Sequence, residues 1–135
     1  MLYERFGFNN SPFKNKIVVA CEKYIDGINK ISEEVKKNSL KNVFIFEGNV
    51  LQFFDEYCLE NSISELWILF PDPWPKKRHF KRRLVDDFFF KNIKRLLKKE
   101  AIIHIVTDSK LYLSNILLDV HNVKNDFYWE NQERY

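Results

Sequence analysis

With 135 residues, 45% of them hydrophobic and 30% charged, the chain suits one globular domain over 1–135 and excludes a disordered protein. No apolar run approaches the roughly 20 residues that a bilayer span needs, residues 1–15 lack the apolar stretch and cleavage site of a secretory signal, and Cys21 and Cys58 have no paired spacing, so reduced thiols in a cytoplasmic setting are expected. The net charge of +3 is unevenly placed: residues 76–99 carry +9 and the remainder −6, which points to a polyanionic partner.

Taken in order, the segments alternate between strand and helix. Residues 16–21 form a short β-branched apolar run, a buried-strand candidate. Tyr24, Ile28, Ile31 and Val35 then recur at helical spacing. Residues 43–46 predict a second strand, 50–57 a short helix, and 65–70 a third strand stopped by Pro71. The spacing predicts one long helix over 84–97, with Val85, Phe88, Phe89, Ile93, Leu96 and Leu97 on its apolar face and Asp86 and Asp87 in its first turns. Residues 101–107 predict a fourth strand with His104 as a packed core histidine, 111–118 a further helix, and 127–129 the start of a last strand. Such alternation, with continuous apolar strands, implies an α/β fold: a parallel sheet with helices on both faces.

Ligands of parallel α/β sheets bind beyond the carboxyl ends of the strands. Glu22, Asn49, Pro71 to Trp74 and Asp108 each follow a predicted strand. Glu22 is suited either to receive ribose hydroxyls or to open a helix as a solvated carboxylate. Asn49 is suited either to hydrogen-bond an adenine edge or to act as a turn residue after Gly48. Asp108 faces a substrate base, or else Thr107 or Asp108 caps the next helix.

The segment Phe70-Pro-Asp-Pro-Trp-Pro75 is more specific. Three of the four prolines of the chain lie here, holding Asp72 in a stiff, extended segment off the end of a strand. A positioned catalytic carboxylate requires such support, and Trp74 offers a ring on which a base can stack. Directly after it, residues 76–83 place six cations in eight positions, Lys76, Lys77, Arg78, Lys81, Arg82 and Arg83, with His79 and Phe80 among them. A run of this kind neutralises phosphates. No histidine, cysteine and carboxylate grouping has metal-ligand spacing, so no metal is expected.

The stretch from Phe70 to Leu84 resembles the hallmark of the bacterial-type tRNA (guanine-N7) methyltransferases, which reads roughly F-P-D-P-W-x-K-x-R-H-x-K-R-R. The similarity runs from about Ile17 to Trp129. It implies a Rossmann-like class I methyltransferase sheet, S-adenosyl-L-methionine as methyl donor, and N7 of a guanine in the tRNA variable loop as acceptor. By position, Asp72 matches the catalytic residue, which also contacts the cofactor. Glu22 and Asn49 match cofactor positions, the second of them an Asp in the family. Lys76 and Asp108 match substrate-contacting positions. Arg78, His79, Lys81, Arg82 and Arg83 match the tRNA-facing segment.

Two departures shape the expectation. The family's first strand and glycine-rich loop, E-x-G-x-G-x-G, have no counterpart here; Gly7 is the one glycine near that place, and residues 1–10 fall where the family has its first helix. The family's last strands also have none. The resemblance therefore implies an active methyltransferase, alone, as a homo-oligomer or with a complementary chain as half of a split enzyme. The alternatives are a catalytically inactive fragment or remnant that binds RNA, and a protein-interaction module using an exposed sheet edge.

Overall fold

A computed structural model describes residues 15–130, which fall into two compact units, one ending at Tyr57 and one beginning at Cys58. The expectations for residues 1–10 lie outside the described residues.

In the first unit, strand β1 (Val18–Glu22) leads into helix α1 (Ile25–Lys37), strand β2 (Val43–Glu47) and helix α2 (Val50–Tyr57). β1 and β2 pair in parallel, with Val18 opposite Val43 and Glu22 opposite Glu47. The pairing is extended at both ends: Val18 N donates to Asn42 O at 2.9 Å, and Gly48 N to Glu22 O at 3.0 Å. α1 places Asp26 in its first turn and Lys36 and Lys37 in its last, each complementing the helix dipole. Phe46, Phe53 and Tyr57 form an aromatic cluster, with centroids 5.2 to 5.9 Å apart, that ties β2 to α2.

In the second unit, strand β3 (Ile63–Leu69) is followed by the proline segment, a 3-10 turn (Lys77–Arg82) and helix α3 (Asp87–Ile93). A second 3-10 turn (Lys94–Leu96), strand β4 (Leu97–Val106) and helix α4 (Lys110–Asn122) complete it. β3 and β4 are parallel and in register from Glu65–Ile102 to Leu69–Val106. The alternation and the two parallel pairs agree with the expected α/β, Rossmann-like class. The core of this unit is made by Val85, Phe89, Phe90, Ile93 and Leu96 against Tyr112, Ile116, Val120 and Val123.

Three predicted elements are corrected. The helix expected over 84–97 is cut to Asp87–Ile93, because Asp86 is extended and its Oδ1 accepts Phe89 N at 2.7 Å as an N-cap. At its far end β4 begins already at Leu97, and a bulge carrying Glu100 at φ +63° separates that residue from the regular register. Phe88, expected in the core, is 70% exposed, and the neighbouring Phe90 is buried instead. Phe127 to Trp129 is not a strand; Phe127 N donates to Val123 O, and its ring lies 5.3 Å from that of Phe90. His104 is half-buried rather than a plain core residue: its ring stacks on Trp67 at 3.7 Å, and its Nε2 lies 3.1 Å from Glu65 Oε1.

Candidate active site and nucleic-acid interface

The first unit brings two predicted residues to the carboxyl ends of its paired strands. Glu22 closes β1, and its Oε1 accepts Lys23 N at 2.8 Å and Tyr24 N at 3.0 Å, so the carboxylate folds over the start of α1. Only glycine fits opposite it undisturbed, since a Cβ on Gly27 would stand 2.8 Å from the Glu22 carboxyl group. Asn49 precedes α2 and its Oδ1 accepts Leu51 N at 2.9 Å. Both residues thus perform the helix-opening roles open to them. The same geometry orients what remains: Oε2 of Glu22 as an acceptor and Nδ2 of Asn49 as a donor.

In the second unit, Asp72 lies exposed between Pro71 and Pro73. The segment is not simply extended. Phe70, at φ +48°, and Trp74, at φ +40°, stand two residues to either side of Asp72 in the left-handed region, and each precedes a proline. Such conformations of bulky residues cost about 1–3 kcal/mol each and persist only where neighbours over-determine them. Phe70 is held from the strand, its N donating to Val106 O at 2.7 Å.

Trp74 is held from the basic segment. Arg83 Nε donates to Pro73 O at 2.7 Å and Arg83 Nη2 to Trp74 O at 3.4 Å. The Arg82 guanidinium lies over the indole at 5.0 Å, and His79 meets it edge-on at 5.6 Å. One indole face is therefore already covered by a cation, where the sequence suggested a platform for a base.

The run 76–83 does not act as one charged surface. Lys76, Lys77, Arg78, Lys81 and Arg82 are exposed, whereas Arg83 is 7% exposed. Its guanidinium lies 3.6 Å from the Phe80 ring and 4.7 Å from that of Tyr112. Tyr112 is fully buried and accepts Val85 N at 2.9 Å through its hydroxyl; burial pushes that hydroxyl's pKa up. Spacing marked neither residue. A buried arginine is spelled like an exposed one inside a basic run, and Tyr112 falls at an ordinary helical position. His79 Nε2 accepts from Arg78 Nε at 3.2 Å.

Beside Arg83, a cleft of about 260 Å³ is lined by Phe80, Lys81, Asp86, Asn115 and Asp119 among others. Burial, then the nearby Asp87 and Asp86, push the Asp119 carboxyl up from its ordinary value, with Arg83 opposing them. Asp108 is exposed beyond β4, and the cap of α4 falls to Ser109, whose Oγ accepts Tyr112 N at 3.2 Å. Asp108 is thereby relieved of capping. Among the described residues no group of three histidines, cysteines or carboxylates could hold a metal, and no helix is long and apolar enough to cross a membrane.

Comparison with known proteins adds the relatives of this arrangement. The family described as Putative methyltransferase matches residues 10–134. A protein of Buchnera aphidicola subsp. Schizaphis graminum named tRNA (guanine-N(7)-)-methyltransferase is 38% identical over 84% of this chain and 47% of its own length. Like-named proteins of Neorickettsia sennetsu (38% identical, 82% of this chain, 54% of that protein) and of Leptospira interrogans (39%, 73% and 46%) are similar to it. The chain spans about half the length of the curated relatives it matches.

Proposed function

This chain belongs to the Putative methyltransferase family, and on that premise we propose that it transfers a methyl group from S-adenosyl-L-methionine to N7 of a guanine in the variable loop of tRNA. The observation that carries the reading is Asp72, exposed between two prolines, flanked by two left-handed residues and followed by five exposed cations.

Guanine N7 has an accessible lone pair, so no base is needed to deprotonate it. The protein has to align N7 and balance charge. Bound S-adenosyl-L-methionine supplies an electrophilic sulfonium methyl group. Asp72 holds the guanine and stabilises the positive charge that develops on the purine. Its stiff segment fixes the carboxylate in advance, so little reorganisation accompanies transfer. Lys76 and Asp108 contact the substrate, and Arg78, His79, Lys81 and Arg82 face the tRNA. Glu22 would hold the ribose of the cofactor with the carboxylate oxygen left over, because Oε1 is held by Lys23 N and Tyr24 N. Asn49 would offer its Nδ2 to the adenine, because Oδ1 is held by Leu51 N. The hydrogen-bonding groups present fit the nucleoside half of the cofactor. A cytoplasmic location follows from this substrate.

The test is transfer of labelled methyl from S-adenosyl-L-methionine to unmodified tRNA, with aniline cleavage to locate N7-methylguanine. Asp72→Ala is expected to abolish label while leaving tRNA affinity within about twofold, as expected for a residue acting on the transition state. Full transfer by that variant would remove Asp72 from the mechanism. A second reading, an RNA-binding chain without transfer, rests on the same exposed cations; binding of S-adenosyl-L-methionine by the wild-type chain separates the two.

A further inference from the structure

We propose that Arg83 is a positioning residue for the Asp72 segment and not a phosphate ligand. Pro73 O and Trp74 O belong to the two peptide groups on either side of the Trp74 Cα, and therefore report its φ and its ψ. One guanidinium grips both, at 2.7 and 3.4 Å. A planar group with donors in a fixed fork holds two carbonyls in one relative orientation, which a point-like ammonium cannot do. The fork itself is fixed: it lies 3.6 Å from the Phe80 ring and 4.7 Å from the Tyr112 ring, and is 7% exposed. Tyr112 is in turn anchored by its hydroxyl to Val85 N at 2.9 Å. A continuous chain of contacts thus runs from α4 through Arg83 to the residue whose left-handed φ of +40° turns the segment two positions after Asp72. Arg82, next in sequence, is exposed with its guanidinium over the outside of the same indole. Adjacent arginines therefore divide the work: one holds Trp74 by its backbone, the other covers its ring and remains open to phosphate.

The consequence for transfer rests on the function proposed above, whereas the structural part stands without it. Three readouts on the full chain separate them: the Trp74 indole N–H resonance, assigned by Trp→Phe substitution; the salt dependence of binding to transcribed tRNA; and kcat and KM for methyl transfer. Arg83→Met is expected to displace the Trp74 resonance and leave the salt slope of binding unchanged. It should also lower kcat by about tenfold or more, with KM for tRNA within about twofold. Arg82→Ala is expected to do the reverse on the slope, reducing it by about 0.7–0.9, the share of one phosphate. Arg83→Lys, which keeps charge and bulk and serves if the methionine variant fails to fold, should not restore the resonance. A slope reduced in Arg83→Met as in Arg82→Ala would make Arg83 a phosphate ligand and overturn the proposal. A Trp74 resonance unmoved in both Arg83 variants would overturn it as well. Absence of transfer by the wild type would defeat the proposed function alone, since the resonance and the slope still decide the role of Arg83.

Discussion

At the scale of single residues, charge and position along the chain say less than burial. Asp119 is an acid that the fold would rather keep neutral: burial dominates, Asp87 and Asp86 add to it, and Arg83 offsets part of it. A carboxyl whose folded pKa is raised favours folding in its protonated form. That contribution is complete below the ordinary value of 3.8 and is lost as pH rises through the folded value. Asp119→Asn, neutral at every pH, is therefore expected to melt higher than wild type at pH 7, with the two curves converging below about pH 4. Thermal melts across that window check it. An equal difference at pH 7 and pH 3.5 would show that the gain comes from packing and not from charge. The sequence offered no sign of this residue, because the groups that perturb it, Arg83, Asp86 and Asp87, lie more than 30 residues away in the chain.

Elements were legible where their signals were local. The limits of α2, Val50–Tyr57, follow from an Asn before an apolar-periodic run, and β2 from four apolar residues bounded by polar ones. The constraint around Asp72 was legible because prolines restrict their own neighbourhood, but the left-handed φ of Phe70 and Trp74 was not, since a following proline favours extended backbone. The region after it was misread because one apolar period, running through Val85, Phe89, Ile93 and Leu96, continues from the extended residues before the helix, through the helix and into a 3-10 turn. All four of these residues are buried, so the period was right, but it described a buried face and not a single helix. What ended the helix early was the pairing of Leu97 with Ile63, a contact between segments far apart in sequence. What started it late was Asp86. With only seven residues, α3 depends heavily on that cap. Asp86→Ala is expected to cost about 1 kcal/mol, within the usual 0.5–2 kcal/mol for such caps. Urea unfolding measures it; a loss below about 0.3 kcal/mol would mean that packing of Phe89 and Phe90 alone sets the start of α3.

For the whole molecule the question is how much of the local +9 reaches a polyanion. The formal count over 76–99 includes cations that the fold has already engaged. Arg83 is buried, Lys91 Nζ lies 2.8 Å from Asp87 Oδ2, and Lys94 Nζ lies 2.5 Å from Asp126 Oδ1. Arg95 lies in the 3-10 turn just before β4 and Lys98 and Lys99 in its first residues, while Asp108 follows its other end, and the rise of a strand separates them by about 20 Å. Five cations remain beside Asp72: Lys76, Lys77, Arg78, Lys81 and Arg82, all exposed. If each neutralises one phosphate, the logarithm of the tRNA binding constant falls with the logarithm of salt at a slope no steeper than about −4.5, and nearer −3.5 where the contacts are to single strands. Titrations between 50 and 200 mM salt, spans over which such slopes are resolved, are expected to give values within that range. A slope near −7 would mean that the engaged cations exchange their protein partners for phosphate. A slope near zero would mean that tRNA is not held by this segment, and the assignment of Arg78, Lys81 and Arg82 to the tRNA-facing surface would fall with it.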